Sequence, residues 1–121
     1  MKILESAENY LETILILQKR NGTVRSIDIA SELDYTKPSV SIAMKHLREN
    51  GYIEMDASGY ITLLDTGLAI AQKMYERHTV ITEFLKSIGV SSEIAAEDAC
   101  RIEHVISEES FDAIKKQTET A

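Results

Sequence analysis

The apolar positions of the first fifty residues recur at helical spacing and predict three helices. The first covers residues 5–20, where the i, i+4, i+7 spacing gives an inward stripe of Ala7, Leu11, Ile14, Leu15 and Gln18. The second is Ser26–Leu33, with Ser26 as its N-cap. The third covers residues 37–50 after a short turn, and its buried stripe is Val40, Met44 and Leu47.

The period changes after residue 50. Ile53 and Met55 precede the turn residues 57–59, and Tyr60 and Thr62 follow them, which predicts a β-hairpin. Two helices joined by a short turn and followed by a hairpin form a winged helix-turn-helix, which is a DNA-binding motif. The sequence therefore predicts that residues 37–50 form a recognition helix.

Helical spacing returns in the second half of the chain. A long helix is predicted over residues 65–88, with apolar positions at Ile70, Met74, Ile81, Phe84 and Ile88. Ser91 or Ser92 is predicted to cap a fifth helix that ends near residue 105, and Ser107 to cap a short sixth one. The expected fold class is therefore mainly α with a small β-hairpin.

Polar and cationic side chains cluster on the predicted outer face of the recognition helix and beside it. Short hydroxyls and cations at a helix N-terminus hold phosphates and reach base edges, whereas Ile42 offers apolar contact to a thymine methyl group. The alternative is that the cations form the solvated face of a core helix. The candidate DNA contacts are Ser26, Thr36, Lys37, Pro38, Ser39, Ser41, Ile42, Lys45 and Arg48.

Charge is distributed unevenly between the two halves of this 121-residue chain, whose formal net charge is −7. Residues 1–50 hold seven basic and seven acidic residues, so residues 51–121, with six basic and thirteen acidic ones, carry the whole excess. This pattern excludes a simple polycation that coats nucleic acid. The single cysteine excludes an intramolecular disulfide, and no stretch has the roughly 18–20 apolar residues of a transmembrane helix. We therefore expect a cytoplasmic protein without membrane association.

A cysteine, a glutamate and a histidine share one predicted helical face near residue 100. Cys100, Glu103 and His104 are spaced i, i+3 and i+4, so that sulfur, oxygen and nitrogen donors converge. This donor set suits Fe²⁺, Co²⁺, Ni²⁺ or Zn²⁺ better than Mg²⁺ or Ca²⁺. The three residues are expected opposite the apolar stripe of the same helix, which is Ile94, Ala95, Ala99, Ile102, Val105 and Ile106.

Three further donor residues have two interpretations each on the sequence alone. His78 lies in register with the apolar positions of the long helix, either as a core histidine or as a ligand. Asn9 and Glu12 share a face of the first helix at i, i+3, either as a solvated pair or as ligands.

Nearly the whole chain resembles the diphtheria toxin repressor and manganese transport regulator family of metal-dependent bacterial repressors. The most specific matching run is Ala99-Cys100-Arg101-Ile102-Glu103-His104-Val105-Ile106-Ser107, and other matches include Pro38-Ser39-Val40-Ser41 and Glu76-Arg77-His78. The resemblance implies a homodimer that binds a palindromic double-stranded operator and represses metal-uptake genes when metal is bound. It implies a winged helix-turn-helix DNA-binding domain over residues 1–64 and a helical metal-binding and dimerisation domain over residues 65–121, the short form without an SH3-like domain.

The resemblance also implies a metal site with Fe²⁺ or Mn²⁺ as the co-repressor. Its ligand positions are Asn9, Glu12, His78, Cys100, Glu103 and His104. Asn9 departs from the family pattern, which usually has an acidic residue or methionine there. The Cys100 thiolate favours Fe²⁺ over Mn²⁺, and Zn²⁺, Co²⁺ or Ni²⁺ can bind in vitro.

The residues leave two other functions open. In the first, Cys100 of a winged-helix regulator gives a redox response in place of a metal response. The second is a small metal-assisted hydrolase, but the sequence has no substrate-pocket signature and no Gly-rich phosphate loop. We therefore expect neither an enzymatic activity nor a small-molecule substrate.

Overall fold

Residues 5–120, which a computed structural model describes, form six α-helices and one two-stranded hairpin. The mainly helical fold class with a small hairpin is therefore confirmed. The chain divides into an N-terminal unit, Met1–Gln72, and a C-terminal unit, Lys73–Ala121. The elements in chain order are α1 (Glu5–Asn21), α2 (Ser26–Leu33), α3 (Lys37–Glu49), β1 (Ile53–Met55), β2 (Ile61–Leu63), α4 (Asp65–Ser87), α5 (Ser92–Val105) and α6 (Glu108–Thr120).

The N-terminal unit has an apolar core to which α1, α2, α3 and the hairpin all contribute. The stripe predicted for α3 is buried, and Val40 and Met44 are fully inaccessible to water. The prediction that Gln18 of α1 faces inward is wrong, because Gln18 is exposed and the neighbouring Leu17 is buried instead. Burying the Leu17 side chain removes apolar surface from water, whereas a buried Gln18 amide would need hydrogen-bond partners.

Helix α2 has the predicted bounds, Ser26–Leu33, but its N-cap lies one residue earlier than predicted. Its N-cap is Arg25, which has extended backbone angles, and the Arg25 backbone N–H donates to the Asp28 carboxylate over 2.9 Å. The prediction that Ser26 is the N-cap is therefore wrong, because Arg25 also pairs with Tyr60 in an isolated β-bridge that keeps it extended. Helix α3 is capped by Thr36, whose Oγ1 accepts from the Ser39 backbone N–H over 3.3 Å.

The hairpin pairs β1 with β2 in antiparallel register, with Ile53 opposite Leu63 and Met55 opposite Ile61. Ile61 is buried, whereas Tyr60 is 40% exposed. The apolar positions of the second strand are thus 61 and 63, and the pair 60 and 62 expected from the sequence lies on the other face. The turn explains this shift, because Asp56 and Tyr60 still pair at its base and the Asp56 carboxylate accepts the backbone N–H groups of Ser58 and Tyr60.

Gly67, in the first turn of α4, packs against the backbone that precedes β1. A Cβ atom at this position would overlap the Tyr52 carbonyl oxygen and crowd the Leu11 side chain. Only glycine therefore allows the start of α4 to approach the chain this closely.

The C-terminal unit has a smaller apolar cluster, in which Ile81, Ala99 and Phe111 are buried. Of the two predicted caps of α5, Ser91 and Ser92, the structure has Ser91, whose Oγ accepts from the Ile94 backbone N–H over 3.4 Å. The last helix is not short, since α6 has 13 residues. No helix among residues 5–120 is long and apolar enough to cross a membrane.

Three apolar positions expected to face inward are exposed instead: Ile88, Ile94 and Val105, at 62%, 47% and 75%. Ile88 lies beyond the end of α4 at Ser87 and therefore does not continue its helical stripe. Ile94 and Val105 lie on α5, where the buried positions are Ala95, Ala99 and Glu103.

Candidate functional site

The outer face of α3 carries the predicted DNA-contacting side chains, and it is open to water. Residues 36–39, 41, 42, 45 and 48 are all exposed, and Ser26 at the start of α2 is half-buried. Ile42 is 57% exposed even though it is apolar. Lys45 lies 3.9 Å from Glu49, a weak surface pair that leaves its side chain 64% exposed. This face can therefore present hydroxyls, cations and one apolar side chain to a DNA groove.

Arg25 is a surface cation beside the hairpin that the sequence analysis did not single out. Its guanidinium lies 5.4 Å from the centre of the Tyr60 ring and in contact with the Gly59 position. Arg25 directly precedes Ser26, the predicted start of α2, and this position was the one indication in the sequence that Arg25 lies beside the helix-turn-helix. The bridge to Tyr60, which brings it to the hairpin, cannot be read from local sequence.

A fully buried carboxylate, Glu103, lies at the centre of the polar cluster in the C-terminal unit. Its Oε2 lies 3.1 Å from Nδ1 of His78, and its Oε1 lies 3.5 Å from Nε2 of His104. Within the described residues, Oε1 accepts no hydrogen bond. Glu103 was expected opposite the apolar stripe of α5, and this is wrong: it is buried in line with Ala95 and Ala99. Its contact with His78 from α4 compensates in part for the loss of water.

His78 and His104 approach this carboxylate from different helices. The His78 side chain is 30% exposed and the His104 side chain 3%. His78 is thus neither a purely apolar core residue nor a solvated one, because one ring nitrogen lies against Glu103. Helix α4 fixes the backbone of this position, where Thr82 Oγ1 donates to the His78 carbonyl oxygen over 2.6 Å. The cluster therefore combines two imidazoles and one carboxylate.

The other three predicted ligands lie in different surroundings. Cys100 is exposed on α5 and forms no disulfide. In the N-terminal unit, Glu12 is buried, with 4% of its surface exposed, so the interpretation of a solvated pair is wrong for this residue. Asn9 is half-buried, and its backbone carbonyl accepts from Thr13 Oγ1 over 2.8 Å.

Arg77 is a buried cation next to His78, and in the sequence it is visible only as part of the motif Glu76-Arg77-His78. Its Nη1 donates to the carbonyl oxygens of Glu103 and Ile106, and its Nη2 to Oε1 of Glu108, each over 3.0 Å. The Lys73 ammonium, and then the Arg77 guanidinium, lower the pKa of Glu108 below its ordinary value of 4.5.

The donor set around Glu103 fits a divalent transition-metal cation. A buried carboxylate without full hydrogen bonding costs free energy, and a cation at this position would offset that cost. Neutral imidazole nitrogens and carboxylate oxygens are ligands for Fe²⁺, Mn²⁺ and Zn²⁺. His78, Glu103 and His104 are therefore chemically suited to hold such an ion.

Two protein-family models match the chain along most of its length. The first is described as the iron-dependent repressor N-terminal DNA-binding domain and matches residues 2–60. The second, the iron-dependent repressor metal-binding and dimerisation domain, matches residues 64–120.

One curated relative and two solved structures are similar to this chain over most of its length. The transcriptional regulator MntR of Escherichia coli O157:H7 is 37% identical over 115 residues, which cover 95% of this chain and 74% of that protein. The crystal structure of T. acidophilum IdeR gives a TM-score of 0.81 at 26% identity and covers 98% of this chain. A manganese-dependent transcriptional repressor in complex with manganese gives 0.83 at 25% identity and covers 92%. The chain spans 55% and 51% of these two solved chains.

Proposed function

Because this chain belongs to the iron-dependent repressor family, we propose that it represses transcription as a homodimer on operator DNA when Fe²⁺ or Mn²⁺ is bound. The resemblance inferred from the sequence is confirmed, and so is the function class of a metal-dependent transcriptional repressor rather than an enzyme. The operator sequence, the metal-uptake target genes and the cytoplasmic location belong to the proposal.

The observation that carries the proposal is the environment of Glu103. Its carboxylate is 0% exposed, lies against two imidazoles and keeps one oxygen without a hydrogen bond among the described residues. A polar group in this state is costly for a purely structural role and ordinary for a metal ligand. We assign His78, Glu103 and His104 as the ligands from the C-terminal unit.

The remaining proposed ligands are Asn9 and Glu12 of α1, together with Cys100 of α5. The burial of Glu12 supports its assignment, since a carboxylate is rarely buried without a partner or a metal. Asn9 offers a neutral amide oxygen, which is a weaker ligand than a carboxylate. Cys100 would bind as a thiolate, and its sulfur favours Fe²⁺ over Mn²⁺.

The proposed mechanism links metal binding to DNA binding through Glu12. A bound divalent cation would neutralise the charge of the carboxylates that bind it. Glu12 lies on α1, which packs with the recognition helix in one apolar core, so holding Glu12 restrains the DNA-binding domain. The coupling can be no larger than the difference in metal affinity between the restrained and relaxed arrangements.

The DNA-binding role is assigned to residues 1–64, and metal binding and dimerisation to residues 65–121. The exposed face of α3, with Ser26, Thr36, Lys37, Pro38, Ser39, Ser41, Ile42, Lys45 and Arg48, supports the first assignment. Two copies of this face in a homodimer would read a palindromic operator.

DNA-binding assays with and without metal test the proposal. A duplex is selected from a random library by the wild-type protein in Mn²⁺, and its affinity is measured by fluorescence anisotropy in chelator, in Mn²⁺ and in anaerobic Fe²⁺. We expect metal to raise the affinity at least tenfold, or about 1.4 kcal/mol of coupling. We expect Glu12→Gln to remove most of that gain while leaving binding in chelator unchanged. Equal affinity with and without metal would contradict the proposal.

The exposure of Cys100 favours one second candidate, a redox-responsive regulator. In that case peroxide would release the wild-type protein from the same duplex without added metal. The Cys100→Ser variant would be insensitive to peroxide. Release by chelator but not by peroxide would reject this candidate.

A further inference from the structure

Arg77 is buried in the C-terminal unit, and the proposed metal-binding role does not account for it. Only 5% of its surface is exposed. Its guanidinium lies 5.4 Å from the centre of the Phe111 ring of α6. Burying a cation is costly unless its donors are satisfied, so the groups it contacts indicate what it does.

Those groups are the end of α5 and the beginning of α6. One terminal nitrogen donates to the carbonyl oxygens of Glu103 and Ile106, and the other donates to the Glu108 carboxylate. The last carbonyls of an α-helix have no intrahelical donors, and a cation there also interacts favourably with the helix dipole. Arg77 therefore acts as a side-chain cap on the final turn of α5.

That turn carries two of the proposed ligands, Glu103 and His104. Glu103 is contacted at both ends from α4: Arg77 contacts its backbone carbonyl, and the adjacent His78 contacts its carboxylate. The planar guanidinium makes both carbonyl contacts and the carboxylate contact at once, which a lysine ammonium cannot reproduce with the same geometry.

We propose that Arg77 is a positioning residue that fixes the ligand-bearing last turn of α5 and, through Glu108, links that turn to the first turn of α6. The inference rests on the proposed metal site. It predicts that metal affinity depends on a side chain that is not itself a ligand, and that a change on α6 reaches the metal site through Arg77.

Lys73 provides a matched control for the role of Arg77. It is a cation on the same helix and pairs with the same Glu108 oxygen, over 3.3 Å. The contacts described for Lys73 do not include the carbonyls of α5. Replacing Lys73 therefore weakens the ion pair with α6 and leaves the cap on α5 in place.

The test is isothermal calorimetry of Mn²⁺ binding to the full chain, with circular dichroism to verify folding. We expect Arg77→Lys to raise the Kd for Mn²⁺ about 10- to 100-fold, the range typical when a group that supports a metal ligand is replaced. We expect Lys73→Met to change it less than twofold. An Arg77→Lys protein that binds Mn²⁺ within twofold of the wild type would overturn the inference, and so would equal weakening in the two variants.

A second variant covers the case in which Arg77→Lys does not fold. Glu108→Gln alters the acceptor that Arg77 Nη2 shares with Lys73, at a side chain that is 68% exposed, and Lys73→Met measures the Lys73 share of its effect. We expect it to raise the Kd for Mn²⁺ at least threefold, which is more than Lys73→Met does. An unchanged Kd in Glu108→Gln would contradict the proposed link to α6.

Hydrogen–deuterium exchange of the metal-free protein separates this inference from the proposed function. We expect the backbone amides of residues 103–106 to exchange at least tenfold faster in Arg77→Lys than in Lys73→Met. If the wild type binds neither Mn²⁺ nor Fe²⁺, the proposed metal site fails, and the exchange rates still decide whether Arg77 fixes this turn. Equal exchange in the two variants would overturn the positioning role.

Discussion

The two units of this protein bury different kinds of side chain. Among the described residues of the N-terminal unit, the hydrophobic cluster contains thirteen buried ones, from Leu11 to Ala71, and the hydroxyls and cations of α3 face water. In the C-terminal unit the corresponding cluster has three buried residues, and Glu103 and Arg77 are buried as well. The first unit is therefore stabilised mainly by removing apolar surface from water, whereas the second also buries charged side chains.

This difference indicates where ligand binding and folding are coupled. A protein face that binds DNA can be polar at no cost to the core, because it stays in water until the duplex arrives. A metal ligand must be held away from competing water, so its burial is costly until the ion binds. Glu12 is the exception in the N-terminal unit, since it is buried there and is itself a proposed ligand.

The largest expected effect is on the apolar core of the N-terminal unit. Met44→Ala should lower the free energy of unfolding by about 2–5 kcal/mol, because it leaves a cavity at a fully buried position. Ile42→Ala, on the exposed face of the same helix, should change it by about 0.5 kcal/mol or less. Urea denaturation followed by circular dichroism measures both. Similar losses in the two variants would mean that the exposed face is part of the folded core.

The buried carboxylate of the C-terminal unit should behave differently. Glu103→Gln should weaken Mn²⁺ binding at least 100-fold, about 2.7 kcal/mol. In chelator it should change the free energy of unfolding by only about 1 kcal/mol, because replacing a buried charge with a neutral amide reduces the desolvation penalty. Glu97→Gln, at a position of the same helix outside the buried set, serves as the control and should leave both quantities unchanged.

A Glu103→Gln protein that loses several kcal/mol of stability in chelator and binds Mn²⁺ normally would contradict the assignment. Glu103 would then be a structural residue, and the difference between the two units would be one of packing alone.

The exposed face of α3 should affect DNA binding without affecting stability. Lys45→Ala should weaken operator binding by about 1 kcal/mol and reduce the slope of log K against log salt by about 0.9 for each phosphate that the variant no longer neutralises. Lys86→Ala removes a lysine of the C-terminal unit and should change neither value. Anisotropy titrations at several salt concentrations measure the slope, and an unchanged slope in Lys45→Ala would remove Lys45 from the interface.

The smallest expected effect is the pH dependence of the Glu108 contacts. Lys73 and Arg77 lower the pKa of Glu108, so its ionised form is favoured in the folded state. The stability it contributes is present above its ordinary pKa of 4.5 and is lost as pH falls through the lower folded pKa. Wild type should be more stable than Glu108→Gln at pH 7, and the difference should shrink as pH falls below 4.5. A difference that is constant with pH would exclude this contribution.

Local periodicity predicted the three helices of the N-terminal unit and the buried stripe of α3. The stripe at Val40, Met44 and Leu47 has helical spacing, and a residue that faces inward in an isolated amphipathic helix also faces inward in the packed unit. The N-cap of α2 was missed because its position depends on a bridge between Arg25 and Tyr60, which are far apart in sequence.

Helical periodicity predicted burial less well in the C-terminal unit, where the burial of a side chain depends on its tertiary partners rather than on its hydropathy. A helical projection of α5 places Val105 inside and Glu103 outside, and the structure reverses both. The reversal depends on Arg77 and His78 of α4, which lie about 25 residues earlier in the chain. The composition of the donor cluster could be read from the sequence, whereas the burial of its carboxylate and the cap on its turn could not.

The central claim is that metal and operator DNA bind to linked sites, and linkage is reciprocal. The most direct test is therefore to titrate Mn²⁺ into the protein alone and into the protein saturated with its selected duplex. We expect the duplex to lower the Kd for Mn²⁺ at least tenfold, by the same factor by which Mn²⁺ raises DNA affinity. A Kd for Mn²⁺ that is identical with and without the duplex would contradict the linkage.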